Sequence, residues 1–315
     1  MISGLMALLI SFTVSAYIKT PESQCTFVDL RNETLGPIRN QREISWCYAF
    51  TAADVLQHTF GLNEIISPAD LAISYNTSSA GQIVDIFTNH GPLHQTGFNL
   101  VTFKKAMVDG YCPENIFPSE KWIKVTKDKE ESVLLSQAVK EIHELIQKKN
   151  KLHLNNLPFY YQFKNVGKET FLALIKENSP KSFYTQLRNT VCKNDRSKFE
   201  KKFKVKMLLR NTQIFSSIND QLSLGHLVSM DYDARILANK KHRGINLNEL
   251  HTSSLVARRW NKEENSCEYL VRDSYGDQCS DYDPSYVCEG GEVWLNERLI
   301  YPSLTSVVFL LSNSR

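Results

Sequence analysis

Apolar positions recur along the chain at two different periods. Ala49, Ala53, Leu56 and Phe60 fall at helical spacing, the pattern of one helix face. Ser45 stands before that run and Gly61 after it. The spacing therefore predicts a helix over 46–60, with Ser45 as its N-cap and Gly61 as its stop. Ser67-Pro68 predicts a second, short helix, a cap followed by proline at the first helical position. Val133, Leu134, Ala138, Ile142 and Ile146 share one face of a third run between Glu130 and Lys149. The Lys and Glu residues on its other face read as a solvated surface. After about position 206 the period drops to two. Val228, Met230 and Tyr232 share one parity, as do His251, Ser253 and Leu255, and Tyr269, Val271 and Asp273. These predict three strands. The chain thus divides into a mixed zone at 17–118, a lysine-rich helical zone at 119–205 and a strand-rich zone at 206–315, with no internal repeat.

A length of 315 residues suggests two domains or lobes, with 42% hydrophobic and 23% charged residues, as in ordinary globular chains. That excludes a disordered, collagen-like or polytopic membrane chain. Lys plus Arg is 37, Asp plus Glu is 34, and the net charge is only +3, which gives no nucleic-acid footprint. At the start, Leu5 to Val14 is an apolar run of about ten, too short to span a bilayer. Val14-Ser15-Ala16 reads as a cleavage site, so residues 1–16 are expected to be a signal peptide. The run carries no preceding Lys or Arg; the competing readings are an uncut anchor or a buried helix. Export, to a secreted or periplasmic location, would place the seven cysteines where disulfides persist. An odd count leaves one free thiol beside three bridges, for which 15 connectivities exist.

Cys47 is the thiol with a chemical setting. It falls at the first turn of the predicted helix, where unpaired amides and the helix dipole stabilise an anion. Such a position favours thiolate, the nucleophilic form. A working site needs a base, a group that orients the base, and donors for an oxyanion. His251 and Asp273 lie on the predicted strands, and Gln41 lies six residues before Cys47. By itself Cys47 also fits a buried structural thiol. His226 is a rival base; His58, His90 and His94 read as surface or structural. No His or Cys pair has metal spacing, so neither a metal nor another cofactor is expected.

Together these segments resemble papain-like (C1 family) cysteine peptidases. The likeness rests on Gly36-Pro37-Ile38-Arg39-Asn40-Gln41 and Ser45-Trp46-Cys47-Tyr48-Ala49-Phe50. Leu250-His251-Thr252-Ser253 and Arg272-Asp273-Ser274-Tyr275-Gly276 resemble that family's His strand and its Asn-Ser-Trp-Gly motif. Val28-Asp29-Leu30-Arg31, Ile66 to Leu71 and Gly290 to Trp294 resemble its first strand, second helix and closing strand. The resemblance covers about two thirds of the chain. It implies an α+β fold of two lobes, a helical one carrying Cys47 and a β-barrel-like one carrying His251 and Asp273. It further implies a protein or peptide substrate and assigns an oxyanion donor at Gln41. Tyr275 would stand for the Trp that shields the orienting hydrogen bond, with Trp46 as further support. Gly81, after Ala80, would be the edge that meets substrate backbone.

The sequence also departs from that pattern. Asp273 stands where the family has Asn. Ile44 and Ser45 stand where it has Cys and Gly, and a side chain at Ser45 would crowd a substrate. A Trp-Cys-Tyr core is similar to some divergent bacterial branches. Cys47 and His251 are 204 positions apart, against about 130–150 in the family. The lysine-rich zone accounts for the excess, so it reads as an insertion between lobes. That insertion is expected either to cover the cleft or to receive an inhibitor or other partner. Cys279–Cys288 closes a short loop and is the first pair expected; Cys112 and Cys192 would anchor the insertion. Val28 comes too early for a long inhibitory propeptide. Two other functions remain open: an inactive fold kept as a protein-binding module, and a transglutaminase-like acyl transferase, which also orders Cys, His and Asp.

Overall fold

The computed structural model describes residues 17–31, 33–41, 44–79, 81, 97–119, 166–177, 180–201, 203–246 and 249–312. The expected signal peptide at 1–16, the run expected to be helical at 130–149, Ala80, His90 and His94 lie outside the described residues.

Helix α1 (Cys47–Phe60) ends as expected at Gly61, whose φ of 59° closes the last turn, a conformation glycine adopts without strain. Every residue from Cys47 to Gln57 is buried, so α1 is a central helix enclosed on all sides and not a one-face amphipath. Its start corrects the expectation at Ser45. The chain bends at Ile44–Ser45, where the Trp46 N–H donates to the Ile44 carbonyl at 2.7 Å. The N-cap is therefore Trp46, one residue later, and no side chain caps the helix. Helix α2 (Pro68–Asn76) starts as the sequence predicts, with Ser67 Oγ accepting from the Asp70 N–H at 3.0 Å. Helix α3 (Asn99–Asp109) packs on both.

Helices α4 (Lys168–Glu177) and α5 (Pro180–Val191) belong to the lysine-rich zone. Their Phe171, Ile175, Phe183, Tyr184 and Leu187 enter the same core as α1, α2 and α3. The Cys112–Cys192 disulfide fastens the end of α5 to the first lobe. Buried Asp70 adds to this, meeting Arg188 at 2.6 Å and Arg196 at 2.7 Å.

The second lobe is built on an antiparallel sheet. Its strands are β1 (Val28–Asp29), β2 (Phe203–Leu209), β3 (Val228–Asp233), β4 (Leu250–Asn261), β5 (Ser266–Arg272), β6 (Cys288–Glu289), β7 (Glu292–Asn296) and β8 (Leu304–Ser312). The order is β2-β8-β3-β4-β5-β7-β6, with β1 beside β4. All three strands expected from parity are present, although Asp273 lies one residue past the end of β5. Alternation gives the sheet two apolar faces. Val308 and Leu310 join the helical core, while Val307 and Phe309 join a second core with Tyr232, Leu255 and Tyr269. Helices α6 (Ile214–Ser223), α7 (Arg235–Ala238) and α8 (Glu297–Ser303) flank that second core. Thr51 Oγ1 of α1 donates to the Thr252 carbonyl of β4 at 2.9 Å and fixes the two lobes at one point.

The other two disulfides are Cys25–Cys267 and the expected Cys279–Cys288. Cys47 is the one free cysteine. Among the described residues, no helix is long and apolar enough to cross a membrane.

Candidate active site

Three backbone elements bring the predicted residues together. Cys47 opens α1, His251 is the second residue of β4, and Asp273 follows β5 directly. The segment before Cys47 pairs with the segment after β5. The Gln41 N–H donates to the Ser274 carbonyl at 2.6 Å and the Gly276 N–H to the Arg39 carbonyl at 3.1 Å, with a β-bridge between Asn40 and Tyr275. Gly276 permits this approach. Its φ is +93°, and a Cβ there would lie 2.7 Å from Asn40 Nδ2.

His251 and Asp273 are only 4% and 3% exposed, and His251 Nε2 lies 2.6 Å from Asp273 Oδ1. The carboxylate only accepts, so Nε2 donates and Nδ1 is the ring nitrogen on the side away from it. Burial by itself lowers the His251 pKa. The Asp273 charge, then Cys47 and Tyr275, and the Asp273 hydrogen bond outweigh it and hold His251 well above the ordinary imidazole range. The Cys47 side chain is itself 4% exposed, and its charge is among the influences that raise His251. Asp273 Oδ1 accepts two further bonds, from the Ser274 N–H at 2.7 Å and from Ser253 Oγ at 3.1 Å.

Tyr275 stacks on the imidazole with ring centroids 4.7 Å apart and planes 23° apart. Its hydroxyl stands 3.5 Å from Nδ1, at the limit of a hydrogen bond. Gln41 is buried; its Nε2 donates to the Ile44 carbonyl at 3.0 Å and its Oε1 accepts from Ser274 Oγ. One of the two Nε2 hydrogens remains for another acceptor. Trp46 is fully buried in the helical core. Gly81 lies against the C-terminal turn of α2: its N–H donates to Ser78 Oγ at 3.2 Å, and a Cβ would meet the Tyr75 carbonyl at 2.4 Å. That close approach requires a residue without a Cβ. His226 is remote from the cluster, its Nδ1 facing Gln221 Oε1 at 3.0 Å. Among the described residues, no group of three His, Cys, Asp or Glu side chains is arranged to hold a metal.

Several residues of this site have no role assigned from the sequence. Arg272 is 5% exposed. It spans Asp54 of α1 at 3.2 Å, Glu292 of β7 at 3.1 Å, and the carbonyls of Leu35, Gly36 and Pro37. It thus ties the segment leading to Gln41, and α1 itself, to the end of β5. Asp231, on the opposite face of β3 from Tyr232, accepts from Thr252 at 2.8 Å and Ser306 at 2.6 Å. Burial nonetheless raises its carboxyl above the usual range. Ser253 and Tyr232 border the His251–Asp273 pair; in the sequence their inward parity marked both, and Ser253 also closed the segment that resembles the His strand.

Comparison with solved structures follows the same lines. The chain resembles recombinant stem bromelain precursor with a TM-score of 0.50 at 11% identity, over 96% of this chain and 76% of that one. The bromelain protease from Ananas comosus in complex with the E64 inhibitor aligns at 11% identity and a TM-score of 0.47, over 93% and 100%. The mite allergen structure of Blo t 1 and Der p 1 aligns at 13% identity and 0.49, over 97% and 79%. No family model and no curated protein sequence matches the chain. At such identities the likeness concerns the fold. The chain has a papain-like α+β fold of two lobes.

Proposed function

We propose that this protein is a cysteine-type endopeptidase that hydrolyses peptide bonds through a thioester on Cys47. The observation that carries the reading is the buried His251–Asp273 pair, 2.6 Å apart, with the segment before the free Cys47 paired to the segment after Asp273. In the proposed reaction, Cys47 Sγ, as thiolate, attacks the carbonyl carbon and the carbonyl oxygen takes the electron pair. The remaining Gln41 Nε2 hydrogen and the Cys47 N–H at the uncapped start of α1 stabilise that oxygen. The oxyanion collapses, the C–N bond breaks, and His251 gives its Nδ1 proton to the departing amine. Water then attacks the thioester carbon. His251 takes the water proton, the C–S bond breaks, and acid product and thiolate are released. Asp273 keeps Nε2 protonated throughout, and Tyr275 covers one face of the ring. Three disulfides support an oxidising, exported setting.

A single observation favours a second reading, a protein-binding module on this fold. Cys47 is 4% exposed, so substrate needs a cleft more open than this one. The deciding experiment digests an unfolded, disulfide-free protein and sequences the new N-termini. Hydrolysis that disappears in Cys47→Ala supports the peptidase. Intact substrate, with stable capture of a protein partner, supports the binding module. Incorporation of an added amine in excess of hydrolysis would instead indicate acyl transfer.

A further inference from the structure

We infer that Ser253 and Tyr232 are positioning residues for His251, acting through the Asp273 carboxylate. The inference rests on the peptidase reading for its kinetic consequence but not for its geometry. Ser253 is fully buried on β4, two residues beyond His251 and on the same face. Tyr232 is fully buried on β3 and is the direct cross-strand partner of His251. The Tyr232 hydroxyl lies 2.9 Å from Ser253 Oγ, and Ser253 Oγ lies 3.1 Å from Asp273 Oδ1.

The direction of these bonds is forced. An ionised carboxylate only accepts, so the single hydroxyl hydrogen of Ser253 points to Asp273. Ser253 Oγ then has only lone pairs to offer, and Tyr232 must donate to it. The chain runs from Tyr232 to Ser253 to Asp273 and meets the bond from His251 Nε2 at the same oxygen. Oδ1 thereby holds three donors, while buried Oδ2 has no partner. A carboxylate held by the His251 bond alone would be free to turn about its Cβ–Cγ bond. Three donors converging on Oδ1 keep that oxygen, and not Oδ2, against the imidazole. Tyr232 adds a second constraint, because its ring meets the imidazole edge-on at 5.8 Å and 83°. With Tyr275 stacked on the face, the imidazole has one orientation, with Nδ1 on the working side. A neutral amide at position 273 demands less of its neighbours than an ion does. The polar pair Ser253–Tyr232 thus accompanies the charge at Asp273, since a buried ion requires satisfied hydrogen bonds.

The test uses the full chain with its three disulfides, as Ser253→Ala, Ser253→Thr, Tyr232→Phe and the Ser253→Ala/Tyr232→Phe double variant. Proton spectra of histidine-labelled protein report the His251 Nε2–H directly, whatever the activity. A short bond to a carboxylate places that proton strongly downfield. Ser253→Ala is expected to shift or broaden this resonance and to lower kcat about tenfold, with KM within about twofold, one hydrogen bond to a charged group. Ser253→Thr restores both, because it returns the hydroxyl. Tyr232→Phe, which keeps the ring, has a smaller effect in the same sense. The double variant is no worse than Ser253→Ala, because Tyr232 acts through Ser253. An unmoved resonance in Ser253→Ala overturns the inference, as do independent, additive losses from the two sites. If the unaltered chain shows the downfield proton but hydrolyses nothing, the positioning role stands and the peptidase reading fails.

Discussion

Arg272 offers the sharpest test of how the two lobes hold the site. Its guanidinium is 5% exposed at the side chain and makes two ion pairs, to Asp54 Oδ2 at 3.2 Å and Glu292 Oε1 at 3.1 Å. It also donates to three successive carbonyls, of Leu35, Gly36 and Pro37. Arg272→Met keeps most of the packed stem and removes every one of these donors. Breaking a buried pair by deleting one partner costs about 3–5 kcal/mol, because the other charge stays buried. Two circumstances soften the loss. Asp54 keeps Arg39, and Glu292 keeps Arg31 at 3.3 Å. The orphaned Leu35 carbonyl acts the other way, since a buried acceptor left unpaired costs about 1–3 kcal/mol. A loss of about 3–5 kcal/mol is therefore expected, a large part of a total that is about 5–15 kcal/mol for a native protein. Urea unfolding with the disulfides intact, followed by tryptophan fluorescence, measures it. Arg272→Lys should recover only part, because an ammonium cannot reach five acceptors in a plane. A loss below about 1 kcal/mol, the scale of a surface pair, would refute the view that Arg272 joins β5 to α1 and the 35–41 segment.

Asp273→Asn preserves the acceptor at Oδ1 and removes the charge that leads the causes raising His251. The basic limb of kcat/KM should therefore move to lower pH, and an unchanged profile would remove that role for the carboxylate. Stability follows the same sign. The folded pKa of His251 is raised, so its contribution is complete below the unfolded value of about 6.5 and is lost as pH climbs through the folded value. Melting temperature should fall on the alkaline side, and at lower pH in Asp273→Asn. Replacing Cys112 and Cys192 together by Ser opens a link across 80 residues and should cost at most about 4–5 kcal/mol by chain entropy; protease sensitivity confined to α4 and α5 would locate the damage. Gly276→Ala forces a side chain onto Asn40 at positive φ and should cost about 2–4 kcal/mol. Its alkylation rate at Cys47 should drop as Gln41 and Tyr275 shift, and wild-type stability would contradict the described approach.

The elements with strong local chemistry were legible in the sequence. Ser67-Pro68 caps α2, Gly61 ends α1, and the period of two found β3, β4 and β5. Cys47, His251 and Asp273 stood out through the short motifs around each of them, not through their spacing, which the lysine-rich zone lengthens. The Ser45 cap was not, because the backbone bend at Ile44 is a tertiary feature. The pairing of 39–41 with 274–276 joins segments far apart in sequence, and no local period reports it. Arg272 looked like any charged residue at the end of a strand; only the fold shows what surrounds it. Ser253 and Tyr232 did carry a signal. Both are polar groups at inward-facing positions of apolar strands, and a buried polar residue is the informative exception.

The most direct test of the central claim is the rate of Cys47 alkylation by a small haloacetamide from pH 4 to 9, in the unaltered chain and in His251→Ala. The account predicts fast labelling already at acid pH, lost when His251 is removed. Labelling that rises only near the free thiol value of about 8.5, and is the same in both proteins, would contradict it.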